Sequence, residues 1–253
     1  MALFEAIGLR KRFGGVEALR GVDLAVRPAE VLGLMGDNGA GKSTLIKIIC
    51  GAYRPDAGEL RMDGEPVSFR NPRDAVDRGV SVVFQDLGLV DTRDVATNVF
   101  LGREPHRRGL VDARRMRREA REVLDTLRIH ISSVRLPVGG LSGGQRQSIA
   151  IARAVHEGGR LVLLDEPTAA LGPEQQRNVL DLIGDLRSQG KSVVMVSHNV
   201  DHVLAVADRV AVMRGGVVAG VREISETTAA EIVGLILGDT ASSLLTDVPT
   251  RPE

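Results

Sequence analysis

The octapeptide Gly36-Asp37-Asn38-Gly39-Ala40-Gly41-Lys42-Ser43 follows an apolar run, Val31-Leu32-Gly33-Leu34-Met35, and leads into Leu45, Ile46, Ile48 and Ile49. A short apolar run bounded by turn residues reads as a buried strand, and apolar residues at three- and four-residue spacing read as a helix. Strand, tight turn and helix in that order commit the chain to an α/β fold, because a strand buried on both faces needs parallel neighbours and covering helices. Three further runs supply the neighbours: Ser81-Val82-Val83-Phe84, Leu161-Val162-Leu163-Leu164 and Ser192-Val193-Val194-Met195-Val196. Helical patterns begin after Gly41, near Pro72, at Gly143 and near Pro173, the alternation expected of a parallel sheet covered on both faces. The stretch with Val22, Leu24 and Val26 reads instead as part of a short antiparallel strand set.

From about residue 90 to 155 the strand signal disappears, and Arg-rich helical sequence runs from Val111 to Arg128, as in an inserted helical lobe. Arg114, Arg115, Arg117, Arg118 and Arg121 are interleaved with Glu119, Glu122 and Asp125, which favours a solvated face of i, i+4 ion pairs over a nucleic-acid surface. Lys plus Arg equals Asp plus Glu at 33 each, so no global field draws the protein to nucleic acid or to an anionic bilayer. The expected organisation is one domain over residues 1–238 and a polar tail over 239–253, with Pro249 and Pro252, that frays.

Cys50 is the sole cysteine, which excludes an internal disulfide, fits a reducing compartment and reads as a core residue. The opening ten residues lack the pattern of a signal peptide, and no segment reaches the roughly 18 apolar residues that span a bilayer. Any membrane role therefore runs through a partner.

The octapeptide matches G-x-x-x-x-G-K-[ST] in the strand-to-helix setting that gives the pattern its meaning. Glycines let backbone N–H groups wrap phosphates, the helix amino terminus favours negative charge, Lys42 can reach the outer phosphates, and the Ser43 hydroxyl can ligate Mg²⁺. The run Leu161–Leu164 ends in Asp165 and Glu166. Asp165 emerges beside the loop, placed to hold Mg²⁺ through water, and Glu166, one residue farther out, can orient and polarise an attacking water. By themselves an Asp-Glu pair, Gln85 at one strand end and His198 beyond another mean only solvated turns. Ser142, Gly143 and Gly144 before Gln145 read as a helix cap whose amino terminus can face an anion.

Together with the loop, Leu141-Ser142-Gly143-Gly144-Gln145 resembles the signature of ATP-binding-cassette (ABC) ATPases, and the motifs stand in that family's order from Leu9 to about Gly238. The resemblance implies a P-loop NTPase cassette with a RecA-like core, an antiparallel β subdomain and a helical signature subdomain. It implies ATP contacts along Gly36–Thr44, Mg²⁺ at Ser43, Gln85 and Asp165, and catalytic roles for Glu166, His198 and Gln85. It also implies that Ser142, Gly143, Gly144 and Gln145 bind ATP held by a second cassette. Phe13 stands where such proteins stack an aromatic on adenine; core packing is the competing reading.

Within the family, the loop sequence, Pro72 with Asp74-Ala75, and Phe100-Leu101-Gly102-Arg103-Glu104 are similar to cassettes of bacterial simple-sugar importers, here with one cassette in the chain. That implies a peripheral protein on the cytoplasmic face of the inner membrane. Its partners would be a second cassette, a permease docked on the segment Asp86–Glu104 and, indirectly, a periplasmic or extracellular solute-binding protein, with no nucleic acid. A non-sugar solute such as a nucleoside, a soluble ABC ATPase acting on nucleic acid or ribosomes, and an inactive regulatory subunit are the alternatives. Two departures stand out: Ala169-Ala170-Leu171-Gly172 carries Gly where many cassettes have the Asp that links paired sites, and Pro28-Ala29-Glu30 carries Ala where Gly is common, a change expected to matter little.

Overall fold

The computed structural model describes residues 1–238; the expected frayed tail, 239–253, lies outside the described residues. In chain order the elements are β1 (Phe4–Phe13), β2 (Val16–Val26), β3 (Val31–Gly36), α1 (Lys42–Ile49), β4 (Ala57–Met62) and β5 (Glu65–Val67). Next come α2 (Pro72–Asp77), β6 (Val80–Val83), α3 (Val95–Val99), β7 (His106–Arg107), β8 (Leu110–Val111) and α4 (Ala113–Thr126). The chain continues through α5 (Gly143–His156), β9 (Leu161–Asp165), α6 (Pro173–Ser188), β10 (Ser192–Val196), α7 (Val200–Val206), β11 (Arg209–Arg214), β12 (Val217–Glu223) and α8 (Ala229–Leu237).

A six-stranded sheet in the order β12-β11-β3-β10-β9-β6 is parallel apart from its antiparallel edge, β12, and a four-stranded antiparallel sheet runs β2-β1-β4-β5. The side-chain period of two divides every central strand between two cores. Val31 and Met35 of β3, Val162 and Leu164 of β9, and Val193 and Met195 of β10 face the helices α3 to α8. Leu32, Leu34, Leu161, Leu163, Val194 and Val196 face α1 and the four-stranded sheet. Helix α1 lies between the two sheets, which is why Leu45, Ile46, Ile48 and Ile49 are all buried and its apolar face is broad. Cys50 is buried beside them, and desolvation pushes its thiol up, as befits an unreactive core residue.

Helix α4 buries Met116, Ala120 and Leu124 at four-residue spacing and exposes Arg114, Arg115 and Arg118, whereas Arg117 and Arg121 are half-buried, Arg121 donating to Ile131 O at 2.8 Å. Arg115 pairs with Glu119 at 2.6 Å and Arg118 with Glu122 at 3.6 Å, the solvated pairing expected of this helix.

Three expectations are corrected. The strand expected at Ser81–Phe84 is Val80–Val83, because β9 pairs Leu161 to Leu164 with those four residues and leaves Phe84 beyond the ladder. The Arg-rich helix begins only at Ala113, where Asp112 caps it by accepting from Arg115 N–H at 3.0 Å, and ends at Thr126. The region from about 90 to 155 is not free of strands: β7 and β8 form a hairpin whose turn, Arg108-Gly109, has φ of 53° and 83°, the primed-turn geometry that matches strand twist. Ala29 has a φ of 53°, which places an L-residue in the left-handed region after Pro28, where glycine is at ease.

Candidate functional site

The loop Gly36–Ser43 is shaped by close approaches from β2 and β11. A Cβ on Gly36 would lie 2.1 Å from Met213 O, and one on Gly41, at φ 104°, would lie 2.7 Å from Ala18 O, so only glycine fits at either position. Gly216 N–H donates to Ala40 O at 3.1 Å and binds the loop to the β11–β12 turn. Asp37 accepts from Asn38 N–H at 2.7 Å, Ser43 is exposed and Thr44 half-buried on the first turn of α1. Lys42 is buried, and its Nζ donates to Gly36 O at 2.6 Å and Asp37 O at 3.0 Å. Burial pulls the Lys42 ammonium below the usual lysine range, while Glu166, Asp37 and Asp165 oppose that pull.

Parallel register brings the remaining polar residues to the same, carboxyl end of the sheet. Val196 of β10 is level with Leu34 of β3 and Asp165 of β9, and Val83 of β6 with Leu164, so Gln85, Glu166 and His198 all follow strands that end on the loop's side of the sheet, with only β10 directly beside β3. Gln85 is exposed. Glu166 Oε1 lies 3.2 Å from His198 Nε2, yet it is buried and accepts no aligned hydrogen bond within the chain. Burial raises both the Asp165 and the Glu166 carboxyl above the ordinary range, with Lys42 and His198 opposing the shift in each case. Glu166 also has φ 52°, held by its N–H to Val196 O at 3.0 Å and by Ala169 N–H to its own carbonyl at 3.1 Å. A bulky residue keeps such a conformation only where its surroundings fix it, as at active sites.

Ser142 caps α5 in a reciprocal box: its Oγ accepts from Gln145 N–H at 3.3 Å and Gln145 Oε1 accepts from Ser142 N–H at 3.1 Å. Gly143 opens the helix, and Gly144 packs against Gln175 of α6. Ser142, Gly144 and Gln145 border a cleft of about 1240 Å³ together with α6 and the chain after α4, and no residue of Gly36–Thr44 borders it. Gly172 caps α6 at φ −70°, ψ 162°, with open space where a side chain would stand, so the backbone does not require glycine there.

Phe13 does not join the core. It is 43% exposed at the end of β1, with its ring 5.3 Å from that of Tyr53 and Lys11 Nζ 5.5 Å above it. Sequence reasoning overlooked Tyr53, which only the packing of the α1–β4 connection against β1 places there. It also overlooked His202, whose Nδ1 lies 2.9 Å from Thr168 Oγ1 in the cleft that holds Glu166 and His198. An i, i+4 histidine pair on the His198–Val206 segment was the available signal.

The profile of the ABC transporter family matches residues 19–169. The chain belongs to the ABC transporter family. Over 91% of its length this cassette is 41% identical to a xylose/arabinose import ATP-binding protein of Sulfolobus acidocaldarius, covering 92% of that protein. It is 45% identical to a fructose import ATP-binding protein of Rhizobium meliloti, over 85% of each chain. Among solved structures it is similar to a dimeric ATP-binding cassette in a post-hydrolysis state with ADP and Pi, with a TM-score of 0.74 and 27% identity over 87% of this chain and 98% of that one. The ABC fold accounts for the division into a six-stranded sheet, an antiparallel sheet and a helical lobe.

Proposed function

We propose that this cassette is the ATP-hydrolysing subunit of an importer of simple sugars, working at the cytoplasmic face of the membrane. The observation that carries the reading is Glu166 Oε1, a buried carboxylate oxygen with no aligned hydrogen-bond donor, facing His198 at the sheet end that also presents Lys42. A buried acceptor of this kind costs stability unless a ligand or water satisfies it. Glu166 orients the water that attacks the γ-phosphorus and accepts its proton as the bond to ADP breaks. Lys42 exchanges its two loop carbonyls for phosphate oxygens, and His198 steadies Glu166 and the γ-phosphate.

The oxygen donors fit Mg²⁺, which takes hydroxyl and carboxylate ligands alongside substrate phosphates. Ser43, Gln85 and Asp165 would hold it, and it would supply neutralisation of charge on the outer phosphates. Phe13 stacks on adenine, with Tyr53 closing its edge.

Ser142, Gly144 and Gln145 border a cleft that takes in no residue of Gly36–Thr44, which supports reading them, with Gly143, as serving the nucleotide of a second cassette, most simply another copy of this chain. Among the described residues no helix is long and apolar enough to cross a membrane, so the reading requires permease subunits, with a solute-binding protein acting through them. The sugar cargo rests on the names of the relatives, since cargo is selected by those partners. Reconstituted with its permease and binding protein, the protein should show Mg²⁺-dependent ATPase activity stimulated by sugar. Absence of that activity would contradict the proposal.

A further inference from the structure

Gln85 leaves β6 and enters a stretch, 84 to 94, that forms neither helix nor strand. Its anchors come from both sides of the signature. Upstream, Val138 N–H donates to Arg93 O and Gly139 N–H to Asp91 O, each at 3.0 Å. Downstream, two arginines of α5 reach across: Arg146 Nη2 lies 2.8 Å from Asp91 Oδ1, and Arg153 donates to Leu87 O at 2.6 Å and Gly88 O at 2.9 Å. The two arginines are seven residues apart, hence on one face of the helix that Ser142 begins. Asn98 of α3, fully buried, adds bonds to Val90, Arg93 and Asp94, and α3 packs on α5. The stretch after Gln85 is thus fastened to the helical lobe, whereas the strand before Gln85 belongs to the sheet.

We propose that Arg153, supported by Arg146, is a positioning residue: its fork on Leu87 O and Gly88 O fixes the backbone that follows Gln85 and so sets the Gln85 side chain in the site. Arg153 touches no substrate. Two parallel N–H donors on adjacent carbonyls give a rigid fork that a point-charge ammonium cannot reproduce. The inference rests on the ATPase reading above, and its test separates the two.

The test is a double-mutant cycle on the intact protein with its permease. Arg153→Met keeps the aliphatic stem and loses the donors. It should lower kcat about 10- to 100-fold, the range for a misplaced catalytic group, with KM for MgATP within about two-fold. Arg153→Lys should recover part of the loss. In a Gln85→Ala background, Arg153→Met should change kcat by less than about two-fold, because a residue acting through Gln85 has nothing left to position. Unchanged kcat in Arg153→Met, multiplicative losses in the double variant, or a silent Gln85→Ala would each overturn the proposal. A wild-type protein that binds ATP without hydrolysing it would sink the ATPase reading instead, and amide exchange then decides this one. ATP should protect residues 86–93 in the wild type and lose that effect in Arg153→Met while still protecting Gly36–Lys42; retained protection at 86–93 would overturn it.

Discussion

The two ends of the parallel sheet are built to opposite rules. At the amino-terminal end the acidic groups beside the strand starts, Glu30 and Asp208, are paired. Glu30, 3% exposed, accepts from Arg27 N–H and from Arg209 Nη1, the latter at 3.0 Å; Asp208 accepts from Val31 N–H at 2.8 Å and from Arg187 at 2.6 Å; Ser192 Oγ donates to Arg27 O at 2.9 Å. At the carboxyl end Lys42 is desolvated, Asp165 and Glu166 are pushed above the ordinary carboxylate range, Glu166 holds a left-handed backbone, and one of its oxygens lacks a donor. One end is arranged for stability and the other tolerates instability for chemistry, the usual trade at an active site.

The sharpest way to break that comparison is Glu166→Gln. Hydrolysis should fall about 10²- to 10⁴-fold, the usual worth of a general base. The fold should nonetheless become more stable. A carboxyl whose folded pKa is raised contributes favourably at low pH and loses that contribution as pH rises through the folded pKa, so at neutral pH the charged Glu166 is a cost that Gln removes. A higher Tm with a lower kcat supports the contrast; a lower Tm contradicts it. At the opposite end, Glu30→Ala should invert the pattern. It leaves the half-buried Arg209 with Glu223 at 3.6 Å as its sole carboxylate, beside Ala25 O at 3.4 Å, and should cost about 3 kcal/mol in urea unfolding, with ATP affinity of the folded protein unchanged.

The pH profile offers a smaller effect of the same origin. With Glu166 raised, the acid limb of kcat should lie above the ordinary glutamate value of 4.5, and Glu166→Asp or →Gln should remove or displace it. Smallest is Ala29→Gly, which relieves a left-handed alanine beside Glu30 and should stabilise the fold by about 0.5–1 kcal/mol without altering hydrolysis. A destabilised Ala29→Gly would mean that the turn is not strained.

What sequence could show follows from burial. Strands β3, β9 and β10 are buried on both faces and appear as continuous apolar runs, and the loop between β3 and α1 carries its chemistry in its spacing. Strands β1 and β4 mix exposed and buried residues, β5 has no buried residue, and the β7–β8 hairpin is wholly exposed, so none gave a run to recognise. Lys42, Asp165, Glu166 and His198 were legible as motif positions, but the unpartnered Oε1 and the φ of Glu166 arise from the β9–β10 register. Arg146 and Arg153 were illegible for a different reason: an arginine on an amphipathic helix ordinarily faces water, and only the tertiary fold turns these two toward the Gln85 stretch.

If Ser142, Gly144 and Gln145 act on a nucleotide held by another copy, ATP that is not hydrolysed should hold two chains together, which sedimentation of Glu166→Gln with saturating ATP reads. The 27.1 kDa chain should double its mass with ATP, revert without it, and fail to pair when Ser142→Arg is added. A Glu166→Gln protein that binds ATP and stays at the monomer mass would rule out a signature that works on a second copy.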